Sequence, residues 1–136
     1  QIIADTVGVN EVKINPELIE RNFGILTEKP IAEIPKYSKN ILQIDKTVYF
    51  LSGQGVETFP QVYKRARRVL EEIQKNHKQD NVVLVTHGDL GKMLRAIFYG
   101  WYWEQGLKAS FIQNGEVLCL SEDSDPQQEF TVPTKL

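Results

Sequence analysis

One cysteine, one methionine and two histidines in 136 residues are the scarcities that first bound this sequence. A lone cysteine, Cys119 in the apolar run EVLCL, cannot form an internal disulfide, and its setting predicts a buried, inert thiol. The sole methionine is Met93 and the first residue is Gln1, so a piece of a longer translation product is expected. No apolar stretch approaches the ~18 residues of a membrane span, and no signal peptide is visible, which leaves the cytoplasm as the expected compartment. An excess of either charge is missing as well. With a net charge of −2 and a pI near 5.7, nothing in the balance attracts nucleic acid or an anionic membrane. Internal repeats and low-complexity segments are also absent. What remains is an ordinary globular composition, 41% hydrophobic and 25% charged, in a chain long enough for one domain over residues 1–136.

Periodicity supplies the elements. QIIADTVG has Ile2, Ile3 and Val7 at helical spacing and ends on Gly8, the tail of a helix with its C-terminal glycine. EVKI reads as a short strand and NPE as a turn, with Asn15 a candidate cap and Pro16 suited to a first helical position. Residues 26–55 have poor periodicity and are expected to be mostly loop, with TVYFL either a strand or a loop with buried aromatics. From Glu57 to His77, Phe59, Val62, Tyr63, Ala66, Val69, Leu70 and Ile73 recur at three- and four-residue steps. Lys64, Arg65, Arg67, Arg68, Glu71 and Glu72 fill the rest, which predicts an amphipathic helix with a solvated charged face. NVVLVT is apolar throughout, as in a strand covered on both faces. A second amphipathic helix follows from Asp89, through Leu90, Met93, Leu94, Ile97 and Phe98, to Gly100. Helix, buried strand, helix is the grammar of an α/β fold with a mostly parallel sheet between helix layers. In ASFIQNGEVLCLS, two β-prone runs flank Asn114-Gly115, locally the pattern of a hairpin.

Two short stretches carry candidate chemistry. In VLVTHGDL a histidine and a glycine stand where a strand gives way to a helix, the place where α/β sheets bind anions. His87 there either adds charge to a bound oxyanion or satisfies a loop carbonyl, and Gly88 permits close backbone approach or a positive φ. In ELIERNFG, Glu20 and Arg21 stand among Leu18, Ile19 and Phe23. A carboxyl in apolar surroundings keeps its proton to higher pH, which suits a general acid near neutrality. An arginine beside it could clamp a phosphate or carboxylate. The plain alternative is a surface turn with a Glu–Arg pair. His77, in KNHKQDN, is expected to be solvated.

Taken in order, these stretches resemble the histidine phosphatase superfamily, with its phosphoglycerate mutase-like fold. INPELIERNFG is similar to the family's L-x-E-x-x-F/Y-G motif, GQGVETFPQVYKRARRVLEEI to its G-E-S/T loop and helix, and VVLVTHGDLGKMLRAI to its second-histidine motif. IQNGEVLCL looks like its closing asparagine and edge strand, which argues against the hairpin. The resemblance implies a three-layer helix–sheet–helix fold and a metal-free, cofactor-free, two-step phosphoryl transfer from a small phosphorylated substrate. It makes Glu20 the proton donor and His87 the stabiliser of the moving phosphoryl, with Arg21 and the amides of Gly88 and Asp89 binding substrate. Glu57 matches the G-E-S/T glutamate, and an architectural role at a helix N-terminus is favoured for it. The nucleophilic histidine of the family's R-H-G motif is not in this sequence, nor are the first strand and helix that surround it. A phosphatase is therefore expected, with a non-catalytic anion-binding relative or a mutase-type phosphotransferase as the alternatives.

Overall fold

The computed structural model describes residues 2–113, 115–126 and 131–132. Helix α1, Ile2–Val7, closes as its sequence requires: Gly8 takes φ +74° and the Val9 amide returns to the Ala4 carbonyl at 2.8 Å. Asn15 caps a single 3-10 turn at Pro16–Leu18, its side chain accepting from the Glu17 amide at 2.9 Å. Two further 3-10 turns, Gly24–Leu26 and Ile31–Lys36, lead to an antiparallel pair, β1 at Ile41–Ile44 and β2 at Thr47–Phe50. The stretch expected to be mostly loop thus holds a hairpin, and TVYF is its second strand.

Helix α2, Phe59–Asn76, starts at Thr58, whose amide donates to the side chain of Gln61 at 2.8 Å. Phe59, Val62, Ala66 and Val69 are buried along one stripe, as their spacing demands. Helix α3, Gly88–Phe98, presents Leu90, Met93 and Leu94 to that stripe, while α4, Trp103–Lys108, packs against α3 through Leu107 and, at Gly106, against Ala96. Tyr49 from β2 completes this core, edge-on to Phe59 with ring centroids 5.7 Å apart, while Trp103 stacks on the same ring at 6.0 Å. A second cluster of Leu26, Ile34 and Val56 lies under the 3-10 turns. Among the described residues no helix is long and apolar enough to cross a membrane.

Helices and strands together make the chain α/β, but several expectations need correction. EVKI forms no regular strand. VVLVT is not hydrogen-bonded into a sheet: no described strand pairs with it, and Val82, Val83 and Val85 are 41%, 66% and 64% exposed. A strand is a strand only by its neighbour's hydrogen bonds, so an apolar run without one stays irregular. The described residues accordingly contain two antiparallel pairs and no parallel sheet. The second pair joins β3, Val117–Leu118, to β4, Thr131–Val132, so residues 117–118 do not pair back onto 109–113 in the local hairpin; Asn114 lies outside the described residues. Cys119 is exposed, because the short β3 buries neither of its flanks. Arg65, expected on the solvated face of α2, is buried with a carboxylate partner.

One glycine fixes the local path of the motif segment. Gly24, at φ +49°, lies so close to the loop before α2 that a Cβ would collide with the backbone of Gln54 and Gly55. The Ile25 amide donates to the Gln54 carbonyl at 2.9 Å across the same contact. Gly8 has a positive φ too, but open space around it. Gly8→Ala should therefore cost only the conformational penalty of about 1–2 kcal/mol. Gly24→Ala adds a backbone collision and should cost roughly 3 kcal/mol or more in urea unfolding. Equal losses at the two positions would mean that the 24–55 contact is not constraining.

Candidate active site

The residues singled out by their motifs lie far apart in sequence, yet three contacts run the 18–21 segment alongside 86–89. Thr86 Oγ1 donates to the Leu18 carbonyl at 2.9 Å. The Glu20 carboxylate lies beside Gly88, where a Cβ would stand 4.0 Å from Oε2. Arg21 Nη1 meets Asp89 Oδ2 at 3.4 Å. Glu20 is therefore held against the first turn of α3, next to His87, which is the N-cap residue of that helix. His87 is exposed, and its side chain makes no capping hydrogen bond. The start of α3, with the exposed His87 as its N-cap residue, and the partly buried Glu20 carboxyl thus adjoin one another. That combination offers an anion site with a proton source next to it.

The segment carrying Glu20 is pinned from below by two buried arginines. Arg65 holds the Glu57 carboxylate with two contacts of 2.9 Å and gives its remaining donor to the carbonyls of Glu17 and Ile19 at 2.6 and 2.7 Å. Glu57 in turn accepts from the Asn22 amide at 3.2 Å, while its own amide donates to the Asn22 carbonyl at 2.8 Å. The Arg65 hydrogen bonds hold the Glu57 carboxyl below its ordinary range. This is the architectural role favoured for Glu57, exerted through Arg65. Spacing could have flagged Arg65, since it stands three residues after Val62 and four before Val69, on the buried stripe.

Arg21, expected to bind substrate, points inward instead. Its side chain is 1% exposed, donates to the carbonyls of Glu57 (2.7 Å) and Phe50, and stacks over the Phe59 ring at 4.1 Å. Its third partner, Asp89, has a carboxyl that burial pushes above its ordinary value against the pull of Arg21. Burial also lowers Arg21, so at 3.4 Å the pair does not offset its own desolvation. What the contact does is orient: it ties the residue after Glu20 to the first turn of α3. Gly88 has no positive φ, and the neighbour it admits is the ring of Phe111, 3.3 Å from where its Cβ would be. Among the described residues no three histidine, cysteine, aspartate or glutamate side chains gather to hold a metal ion. A cavity of about 460 Å³ opens elsewhere, lined by Arg95, Trp101, Gln105 and Lys108 among others, and shares no residue with this cluster.

A family model for the histidine phosphatase superfamily (branch 1) matches residues 1–130. The chain belongs to the histidine phosphatase superfamily. It is also 35% identical over 106 residues to a metal-independent phosphoserine phosphatase from Arabidopsis thaliana, an alignment covering 71% of this chain and 40% of that protein. The chain thus spans less than half the length of this relative. No solved structure matches it.

In this superfamily member α3 carries a further buried cation that the motifs did not announce. Lys92 Nζ donates to the Tyr49 hydroxyl at 2.8 Å and to the carbonyls of Leu107 (3.0 Å) and Ala109. Burial lowers its pKa from 10.5 to about 8. The unfolded chain keeps this proton up to pH 10.5 while the folded chain releases it near 8, so folding gains stability as pH rises through that window. Against Lys92→Met, which does not titrate, the wild type should become relatively more stable between pH 8 and 10.5, by up to about 3 kcal/mol. A stability difference flat across that range, measured by denaturant titration, would show that Lys92 is not held in a charge-averse site.

Proposed function

We propose that the chain is part of a phosphatase that hydrolyses small phosphate monoesters through a phosphohistidine. The observation that carries the reading is the placement of the Glu20 carboxylate against the first turn of α3, beside His87. A phosphoryl group bound there would have its charge met by the helix amides and by His87 in its protonated form. Glu20 would give its proton to the leaving oxygen as the P–O bond breaks and the phosphoryl passes to a histidine nitrogen. The same carboxylate would then take a proton from the water that attacks phosphorus, releasing inorganic phosphate and the free imidazole. Arg21 acts as a positioning residue for Glu20 and Asp89. The 82–86 run would be the strand that leads to His87 in the family's three-layer sheet. Phosphoserine is the first substrate to test, since the Arabidopsis relative carries that name.

The reading needs a nucleophile that these residues do not include. His77, the other histidine, sits on an exposed turn after α2, 2.9 Å from Asp80, and has no part in the cluster. A polypeptide of these 136 residues should show no hydrolysis of p-nitrophenyl phosphate; turnover abolished by His87→Ala would contradict that division of labour. In the protein expressed from its complete gene, Glu20→Gln should slow alkyl phosphates by ~10²–10⁴-fold and activated aryl phosphates much less. Comparable losses on both substrate kinds would leave Glu20 a structural carboxylate.

A further inference from the structure

The start of α3, where Glu20 lies, has an aromatic neighbour that no motif announces. Phe111 lies in the irregular stretch after α4, yet its ring reaches the first residue of α3. A methyl on Gly88 would stand 3.3 Å from Phe111 Cε1, 3.4 Å from Cδ1 and 4.0 Å from Glu20 Oε2. The ring and the carboxylate therefore both lie against Gly88. The ring is also braced. Lys92, one helical turn after Gly88 on the same face, has Nζ 3.8 Å from the ring centroid. The same ammonium donates to the Leu107 and Ala109 carbonyls, which fixes the backbone leading to Phe111. Phe111 nonetheless keeps 37% of its surface exposed, so part of the ring is free to meet a ligand.

A general acid must come within about 3 Å of the oxygen it protonates. With Glu20 in that role, an alcohol that leaves along the start of α3 would meet the ring. We propose that Phe111 is the leaving-group wall of this site and that Lys92 is the positioning residue that holds it. The site then favours phosphate esters whose alcohol carries a flat or apolar group close to the ester oxygen. This inference rests on the phosphatase reading and adds to it the class of alcohol the site accepts.

Benzyl phosphate and ethyl phosphate test it, because both are alkyl esters and differ in the phenyl group. In the protein expressed from its complete gene, kcat/KM should favour the benzyl ester. Phe111→Ala should shrink that preference by about tenfold, chiefly through KM, and Phe111→Tyr should restore it. Lys92→Met should erode the preference in the same direction, since it removes the brace. Competitive inhibition by inorganic phosphate, which has no leaving group, should move less than twofold in the Phe111 variants. Equal losses on both esters would make Phe111 purely structural, and an unchanged preference would mean that the alcohol leaves by another side; either outcome overturns the proposal while the phosphatase reading stands. Failure of the wild-type protein to hydrolyse either ester would overturn that reading first, and this one with it.

Discussion

Arg65 is the side chain on which the rest of the candidate site depends. It is buried in α2, yet its guanidinium spans Glu57 on one side and the carbonyls of Glu17 and Ile19 on the other. The 3-10 turn and the extended residues after it have few apolar contacts of their own, and Ile19 is 66% exposed. Hydrophobic burial alone would leave that segment loosely placed. A rigid planar fork with several donors is suited to fixing irregular backbone, because it satisfies carbonyls that no helix or strand is satisfying. Lysine, a single point donor, would not reach all four acceptors.

From Arg65 the constraint passes through Glu57 to Asn22, and through the Glu57 carbonyl to Arg21. Arg21 then touches β2 at Phe50 and α3 at Asp89. Four pieces of chain meet at two guanidinium groups: the motif segment, the end of the hairpin, the start of α2 and the start of α3. Removing either arginine would leave buried acceptors without partners, which costs more than the net worth of the hydrogen bonds lost. The arrangement is thus stiff where Glu20 needs to be held, while His87, one residue before α3, stays open to solvent.

The two long helices and the glycine at the end of α1 were legible because each rests on a short-range rule: a 3.6-residue apolar period, or a left-handed residue at a helix end. The motif residues Glu20 and His87 were legible as candidates from their local contexts, and the contacts between 18–21 and 86–89 bring those contexts together. The inward path of Arg21 was not legible, because sequence shows that an arginine neighbours a glutamate, not that its guanidinium lies against an aromatic ring. The 82–86 run is irregular among the described residues because an apolar stretch declares only that it can be covered, and pairing depends on a neighbour from elsewhere. Phe111 was invisible for a related reason. Its approach to Gly88 arises from the crossing of α3 with α4 and from a lysine bond to carbonyls 15 and 17 residues away, and no periodicity encodes such a meeting.

Two carboxylates, Glu20 and Asp89, lie close together at the start of α3, and their surroundings differ. Asp89 is half-buried in the first turn of α3, where the helix dipole and Arg21 oppose its charge and burial draws it toward the neutral form. Glu20 is partly exposed and, among the described residues, receives a hydrogen bond from the Arg21 amide at 2.7 Å to Oε1, which leaves Oε2 as the oxygen lying toward Gly88. A carboxyl gripped by one oxygen keeps its orientation while the other remains available to exchange a proton. The backbone amide that does the gripping belongs to Arg21, so the residue that anchors the segment in the core also aims the carboxyl at its surface.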